Sequence, residues 1–345
     1  MKDYVIANQA SSGENYIIVG HRIDPDGIIS HALLRRAFSN NPCHHYFVDY
    51  DDFFPVMQDI NNRLKDLKKP HLIVADISLN LVFQDEYLFQ GLGEKTESFT
   101  WIDHHLNTFQ NEDFLVRSYA RVVYEPHLCT AELVQRRYAY SHNLDSDYNR
   151  MLARVAHAHD FERRQMLEWT LGDVLQNIIK SNNNDIFGLS KLVQDLGAGN
   201  VWDEEGALAP HYQRIVQDCQ KKKREAYVRL EENVDIVHCA GKKVLFAYAD
   251  PILYMKDAPE HLKRINDVDY VVVAFEGISN VIVFGKGNVG KSVIEFCQSM
   301  GGGGRGHAGG FTIGHAVTEK DYSQDKTDIT GKLEQFLESY NPKTN

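Results

Sequence analysis

The sequence predicts an α/β protein in which an N-terminal parallel-sheet domain is joined by a helical connector to a smaller α/β C-terminal domain. Three observations carry this reading. Apolar runs at residues 16–20, 71–75 and 99–102 each empty into an acid or a His–Asp loop, as buried parallel strands do when they deliver polar groups at their carboxyl ends. Helical periodicity separates these runs and dominates residues 170–235, and from about Val234 short β-prone segments take over. A length of 345 residues with 43% hydrophobic content is ample for two cores, with boundaries expected at 1–200, 201–235 and 236–345.

Taken in order, Tyr16-Ile17-Ile18-Val19-Gly20 reads as a buried strand followed by the loop His21-Arg22-Ile23-Asp24-Pro25-Asp26-Gly27. Pro25 disfavours helix at Asp24. From Gly27 the positions Ile29, Ala32, Leu33 and Ala37 share one helical face, with Asp26 expected as the N-cap. A strand near residues 46–48 and a helix around 55–67 follow. Residues 71–75 then repeat the opening pattern and end in Asp76. Phe99, Trp101 and Ile102 run into Asp103-His104-His105. Thr130 is expected to cap a helix, and another helix from about Asp147 to Arg164 carries His157, His159 and Asp160. Gly197-Ala198-Gly199-Asn200 breaks the helical region, and His211 to Glu232 forms the long connector, where Lys221-Lys222-Lys223-Arg224 reads as a solvated face. Beyond it come strands at 234–239 and 244–249, a helix near 257–266, strands at 270–275, 280–284 and 311–317, and a closing amphipathic helix bearing Ile329, Leu333, Phe336, Leu337 and Tyr340.

The formal net charge of −11 argues against a protein that coats long duplex nucleic acid, since such binding needs many Lys and Arg on phosphates. Short nucleotides remain compatible with it, because bound cations supply positive charge locally. The five scattered cysteines form no close pair, which fits a reducing cytoplasm. No apolar run approaches the roughly 20 residues needed to span a bilayer, so no membrane association is expected.

Asp24, Asp26, Asp76 and Asp103-His104-His105 all fall at the carboxyl ends of expected strands, so a parallel sheet brings them to one edge. That many acids in one cleft repel one another unless divalent cations neutralise them. Mixed imidazole and carboxylate ligands suit two Mn2+ ions, or Mg2+, better than a thiolate zinc site. Such a pair activates a water for in-line attack on phosphorus, which makes phosphoester hydrolysis the natural reaction.

The ordered set His21-x-x-Asp24-x-Asp26-Gly27, Asp76, Asp103-His104-His105 and a later helical Asp resembles the motif pattern of the DHH phosphoesterase superfamily. Gly301-Gly302-Gly303-Gly304 followed by His307 resembles the glycine-rich motif of the DHH-associated C-terminal domain. That grouping includes RecJ-like exonucleases, nano-RNases and cyclic dinucleotide phosphodiesterases. The resemblance implies that His21 and Asp24 hold one metal, that Asp26, His104 and Asp160 hold the other, and that Asp76 bridges them. It further implies that Asp103 orients a neighbouring ligand and that His105 faces the substrate phosphate. Three features depart from the pattern: His157 and His159 flank Asp160 as alternative ligands, Arg305-Gly306 separates the glycines from His307, and Lys286 stands where many members carry an Arg.

Gly302, Gly303 and Gly304, lacking Cβ atoms, allow close approach to a phosphate, with Arg305, His307 and Lys286 as added contacts. Gly285 to Ser292 also satisfies the P-loop spacing G-x-x-x-x-G-K-S, but too few residues follow to build a nucleotide triphosphatase core. The expected activity is hydrolysis of short oligonucleotides or of linear or cyclic dinucleotides. Pyrophosphate or polyphosphate hydrolysis and single-strand RecJ-like exonuclease action are the alternatives, and a homodimer is compatible with the sequence.

Overall fold

A computed structural model of the chain describes the backbone of residues 5–7 and residues 14–64, 69–79, 85–182, 185–203, 206–253, 257–286 and 290–340. In chain order the first part runs β1 (Val5–Ala7), β2 (Tyr16–His21), α1 (Pro25–Ala37), β3 (Cys43–Val48), α2 (Tyr50–Arg63), β4 (His71–Ala75), α3 (Glu86–Lys95), β5 (Ser98–Asp103), α4 (Leu106–Gln110), α5 (Glu112–Arg117) and β6 (Ala120–Tyr124). It continues through α6 (Thr130–Tyr138), α7 (Asp147–Asp160), α8 (Leu167–Asn182), α9 (Ile186–Ala198) and α10 (Pro210–Glu232). The second part comprises β7 (Val234–Cys239), β8 (Lys242–Ala249), α11 (Asp257–Ile265), β9 (Tyr270–Phe275), β10 (Asn280–Gly285), α12 (Gly290–Ser299), β11 (Gly303–Arg305), β12 (Ala308–Thr312) and α13 (Glu319–Ser339).

The first sheet has the order β1-β3-β2-β4-β5-β6, with β3 to β6 parallel to β2 and β1 antiparallel at the edge. Alternate residues serve opposite faces. Ile18, Ile73 and Ile102 pack with α1, α6, α7, α8 and α9, whereas Ile17, Val19, Leu72, Val74 and Trp101 pack with α2, α3 and α5. Both faces are covered, and this is why the strands read as continuous apolar runs. Register then fixes the edge: Gly20 lies beside Ala75, and Ala75 beside Ile102, so His21, Asp76 and Asp103 emerge side by side. The chain passes from β2 outward to β3 and returns to β4 on the other side of β2. That reversal opens a crevice at the carboxyl ends.

The chain divides into two compact units, Met1–Cys219 and Gln220–Asn345, with the division inside α10. The second unit has its own sheet of order β11-β12-β10-β9-β8-β7, mixed rather than parallel, with a core on each face. Among the described residues no helix is long and apolar enough to cross a membrane.

Local details depart from the sequence reading. Asp24, not Asp26, is the N-cap of α1, accepting the Gly27 N–H at 3.0 Å. Pro25 therefore occupies the first helical turn, where its missing N–H costs nothing. Cys129, not Thr130, is the N-cap of α6, which leaves Thr130 free for the site. The helix carrying Asp160 ends at that residue rather than at Arg164, and the strand expected over 311–317 is Ala308–Thr312. The edge strand β6 and the short helices α3, α4 and α5 lack a strong sequence signal.

On the buried face of α1, His31 lies beside His45 of β3 with their Nδ1 atoms 3.0 Å apart, His31 being 1% exposed. Burial lowers His31 to about 4 and holds His45 well below the usual range. A depressed His binds its proton more readily in the unfolded chain, so stability is complete above about 6.5 and falls as pH drops toward 4. For His31 this loss is on the order of 3 kcal/mol by linkage. Urea unfolding at stepped pH should show a slope between pH 6.5 and 4 that His31→Leu reduces.

Candidate metal centre

The carboxyl ends of β2, β4 and β5 assemble two overlapping groups of potential ligands. His21, Asp24 and Asp76 form one, and Asp76, Asp103, His104 and His105 form the other; in each, one donor atom per residue lies within 4.8 Å of the rest. Asp76 is common to both. Its Oδ2 lies 3.7 Å from His21 Nδ1 and its Oδ1 3.7 Å from His104 Nε2. The same His104 nitrogen is 3.8 Å from Asp26 Oδ2 and 3.8 Å from Asp160 Oδ2, so α7 delivers Asp160 to the cluster.

These separations are too long for hydrogen bonds but suit atoms arranged around a shared cation, whose bonds of about 2–2.2 Å set neighbouring ligands about 3–4 Å apart. His21 makes the same point. Its Nδ1 is 2.8 Å from Asp24 Oδ2, yet neither ring nitrogen, both buried, makes an aligned hydrogen bond. A buried donor set aimed at a common point rather than at one another fits a divalent ion, and no thiolate is among the donors.

The electrostatics agree. Burial raises Asp76 well above the carboxylate range, and the neighbouring Asp26 and Asp24 charges push the same way. Asp26 is likewise raised, chiefly by burial. Burial opposes charge on His21, yet Asp24, Asp49 and Asp76 together hold its pKa well above the ordinary value. The cluster carries more negative charge than it can neutralise internally.

Supporting contacts fix the donors. Asp76 sits at φ 59°, a left-handed conformation uncommon outside glycine and asparagine, while its N–H donates to Ile102 O at 3.0 Å. The N-terminus of α6 holds Asp26: Thr130 N–H donates to Oδ2 at 2.8 Å and Ala131 N–H to Oδ1 at 2.7 Å. Thr130 Oγ1 also donates to Asp76 Oδ1 at 3.1 Å. Asp103 is wholly buried and braces its neighbours: its Oδ1 accepts the His104 N–H at 2.9 Å and lies 2.7 Å from His105 Nδ1. Burial alone would raise Asp103 and lower His105; their mutual contact reverses both, driving His105 up to about 10.

Two groups escaped the sequence reading. Asp49 follows β3 at the same sheet edge, 3.6 Å from His21 Nε2, and its position after a strand was the available signal. Thr130 was assigned to capping. Of the alternatives to Asp160, His157 turns its Nδ1 to Glu132 Oε2 at 2.6 Å, and His159 packs on Trp169 and on Gly172 in α8.

In the second unit the glycine run is a hairpin, not an open loop. Gly303–Arg305 is the edge strand β11, paired with β12. A Cβ at Gly302 would lie 2.0 Å from Gly310 O, so the close strand approach requires glycine there; Gly303 faces open space. His307 is exposed at the turn with its ring edge-on to Phe284, 5.7 Å between centroids. Lys286 is paired with Asp267 at 2.7 Å on the surface. Ser292 of the P-loop-like stretch is buried and hydrogen-bonded to Tyr270 at 2.9 Å, while residues 287–289 and the side chains of Lys291 and Arg305 lie outside the described residues.

No family model and no curated protein matches the chain. Among solved structures it is similar to RecJ from Thermus thermophilus in complex with Mn2+, with a TM-score of 0.62 at 14% identity, covering 95% of this chain and 53% of that one. It is also similar to an exopolyphosphatase-related protein from Bacteroides fragilis, with a TM-score of 0.51 at 16% identity and 94% coverage of each chain. At such identities the likeness is one of fold. The fold shared with RecJ agrees with the α/β architecture that the motif resemblance implies.

Proposed function

We propose that the protein is a phosphodiesterase that uses two divalent cations, Mn2+ in preference to Mg2+, to hydrolyse short oligonucleotides or linear or cyclic dinucleotides in the cytoplasm. The observation that carries it is the single buried carboxylate, Asp76, facing both ligand groups. In this reading His21 and Asp24 hold one ion, Asp26, His104 and Asp160 hold the other, and Asp76 spans them. Bound cations would activate water near neutral pH and offset charge on the phosphoryl oxygens.

The chain's own groups do the rest. His105, half-exposed and braced by Asp103, presents its Nε2 to a phosphoryl oxygen. The α6 N-terminus keeps Asp26 from turning away, and Thr130 steadies Asp76 in its left-handed conformation. Gly302, Gly303, Gly304, Arg305 and His307 are the proposed contacts for a second phosphate or the nucleotide end, with Lys286 a secondary one. The acidic surface favours short substrates over long duplexes.

Pyrophosphate or polyphosphate hydrolysis would use the same cluster, and the fold shared with an exopolyphosphatase-related protein favours it as the second reading. A turnover panel with Mn2+ separates them. Dinucleotides and short RNA should be cleaved, with pyrophosphate and polyphosphate inert; cleavage of pyrophosphate alone would overturn the assignment.

A further inference from the structure

Beside the two ligand groups lies a hydrogen-bonded His–Glu pair that neither uses. His157 Nδ1 meets Glu132 Oε2 at 2.6 Å, joining α7 to α6, with the side chains only 24% and 16% exposed. We propose that His157 is a second substrate-contacting imidazole, donating from Nε2 to an anionic phosphoryl oxygen of the substrate. The inference rests on the phosphoester reading above.

Position is the first support. His157 lies one turn before Asp160 on α7, and its ring packs on Phe161 at 4.7 Å between centroids. Phe161 in turn packs edge-on to His104 at 5.9 Å, so one aromatic ring separates His157 from a proposed ligand. The second support is orientation. Glu132 Oε2 also accepts the Cys129 N–H at 3.2 Å, at the same helix end whose next two N–H groups hold Asp26. A carboxylate anchored at that end fixes the ring's plane and places an N–H on Nδ1, which leaves Nε2 as the atom able to meet a ligand. Glu132 is the hydrogen-bonding partner of His157 among the described residues, and Nε2 has no other.

The third support is repetition. His105 against Asp103, at 2.7 Å, is built in the same way: a fixed carboxylate, an oriented ring and a partly exposed side chain. A purely structural tie between α6 and α7 is superfluous, because Leu133, Val134, Leu152, Val155 and Ala156 already join these helices in the core. An imidazolium held between Glu132 and a phosphate has a donor on each nitrogen and matches both anions.

The test uses the full chain with His157→Gln and Glu132→Gln. Inorganic phosphate is titrated calorimetrically into the Mg2+-saturated protein, kcat and KM are measured on a linear dinucleotide, and Mn2+ stoichiometry is determined separately. His157→Gln should weaken phosphate binding and raise KM about tenfold, the worth of one hydrogen bond to a charged group. Glu132→Gln should give a smaller loss in the same direction, and both variants should keep the wild-type number of Mn2+ ions. Wild-type phosphate affinity and KM in His157→Gln would overturn the proposal, as would loss of an ion from that variant, which would make His157 a ligand. A wild-type chain that cleaves no dinucleotide counts against the phosphodiesterase reading alone, because the phosphate titration still reports on His157.

Discussion

Asp76→Asn should abolish Mn2+-dependent turnover, by about 10³-fold or more in kcat, while making the metal-free protein more stable than wild type. The two effects have one origin. Asp76 is 2% exposed beside Asp26 and Asp24, and burial with those neighbours holds its carboxyl protonated well above the ordinary range. A carboxyl with a raised folded pKa contributes fully to stability below the unfolded value, and that contribution is lost as pH rises through the folded value. In the metal-free chain at neutral pH Asp76 is therefore a burden. Asparagine removes the charge, retains an acceptor for Thr130 Oγ1 and tolerates φ 59° better than alanine does. Metal-free unfolding by urea at pH 7 should show a higher stability for Asp76→Asn than for wild type. Added Mn2+ should then raise the melting temperature of wild type far more than that of the variant, since the buried acids are useful only when cations share them.

Gly27→Val should carry the second-largest effect. A Cβ at Gly27 would stand 2.2 Å from His21 O and 2.8 Å from His21 Cβ, and two of its three nearest atoms are backbone that cannot rotate aside. The loop must open, which pulls the Gly27 N–H off Asp24 Oδ1 and moves His21 and Asp24 together. A loss of about 3 kcal/mol or more is expected for overpacking of this kind. Denaturant unfolding measures it, and calorimetric Mn2+ titration of the folded fraction should show weakened binding at the His21–Asp24 pair. Near-wild-type stability with intact Mn2+ binding would show that the loop has room the structure does not grant it.

These two residues also mark how far the sequence could be read. Asp76 was legible because its strand is covered on both faces, so the apolar run ended sharply at an acid. The same logic gave Asp24, Asp26, Asp103 and His104, and the parallel register brings their strand ends abreast. What tertiary structure supplies was not legible. Asp26 looked like a cap for its own helix, whereas it takes its donors from a helix end 104 residues away. Asp49 offered the right signal, an acid after a strand, but His44 and His45 interrupt its strand, which leaves only Tyr46-Phe47-Val48 as an apolar run. His157 was one of three candidates on a single helix turn; which of them faces the cluster depends on helix rotation and on Glu132, 25 residues distant. The glycines after α12 suggested close approach to a phosphate because ligand contact and close strand packing ask for the same residue.

That Asp76 joins two cation sites is tested most directly by Mn2+ binding to the full chain, measured by isothermal titration calorimetry. Two ions should bind per wild-type chain, with at least one lost from Asp76→Asn at matched concentrations. A single ion in wild type, or an unchanged pair in Asp76→Asn, would contradict it.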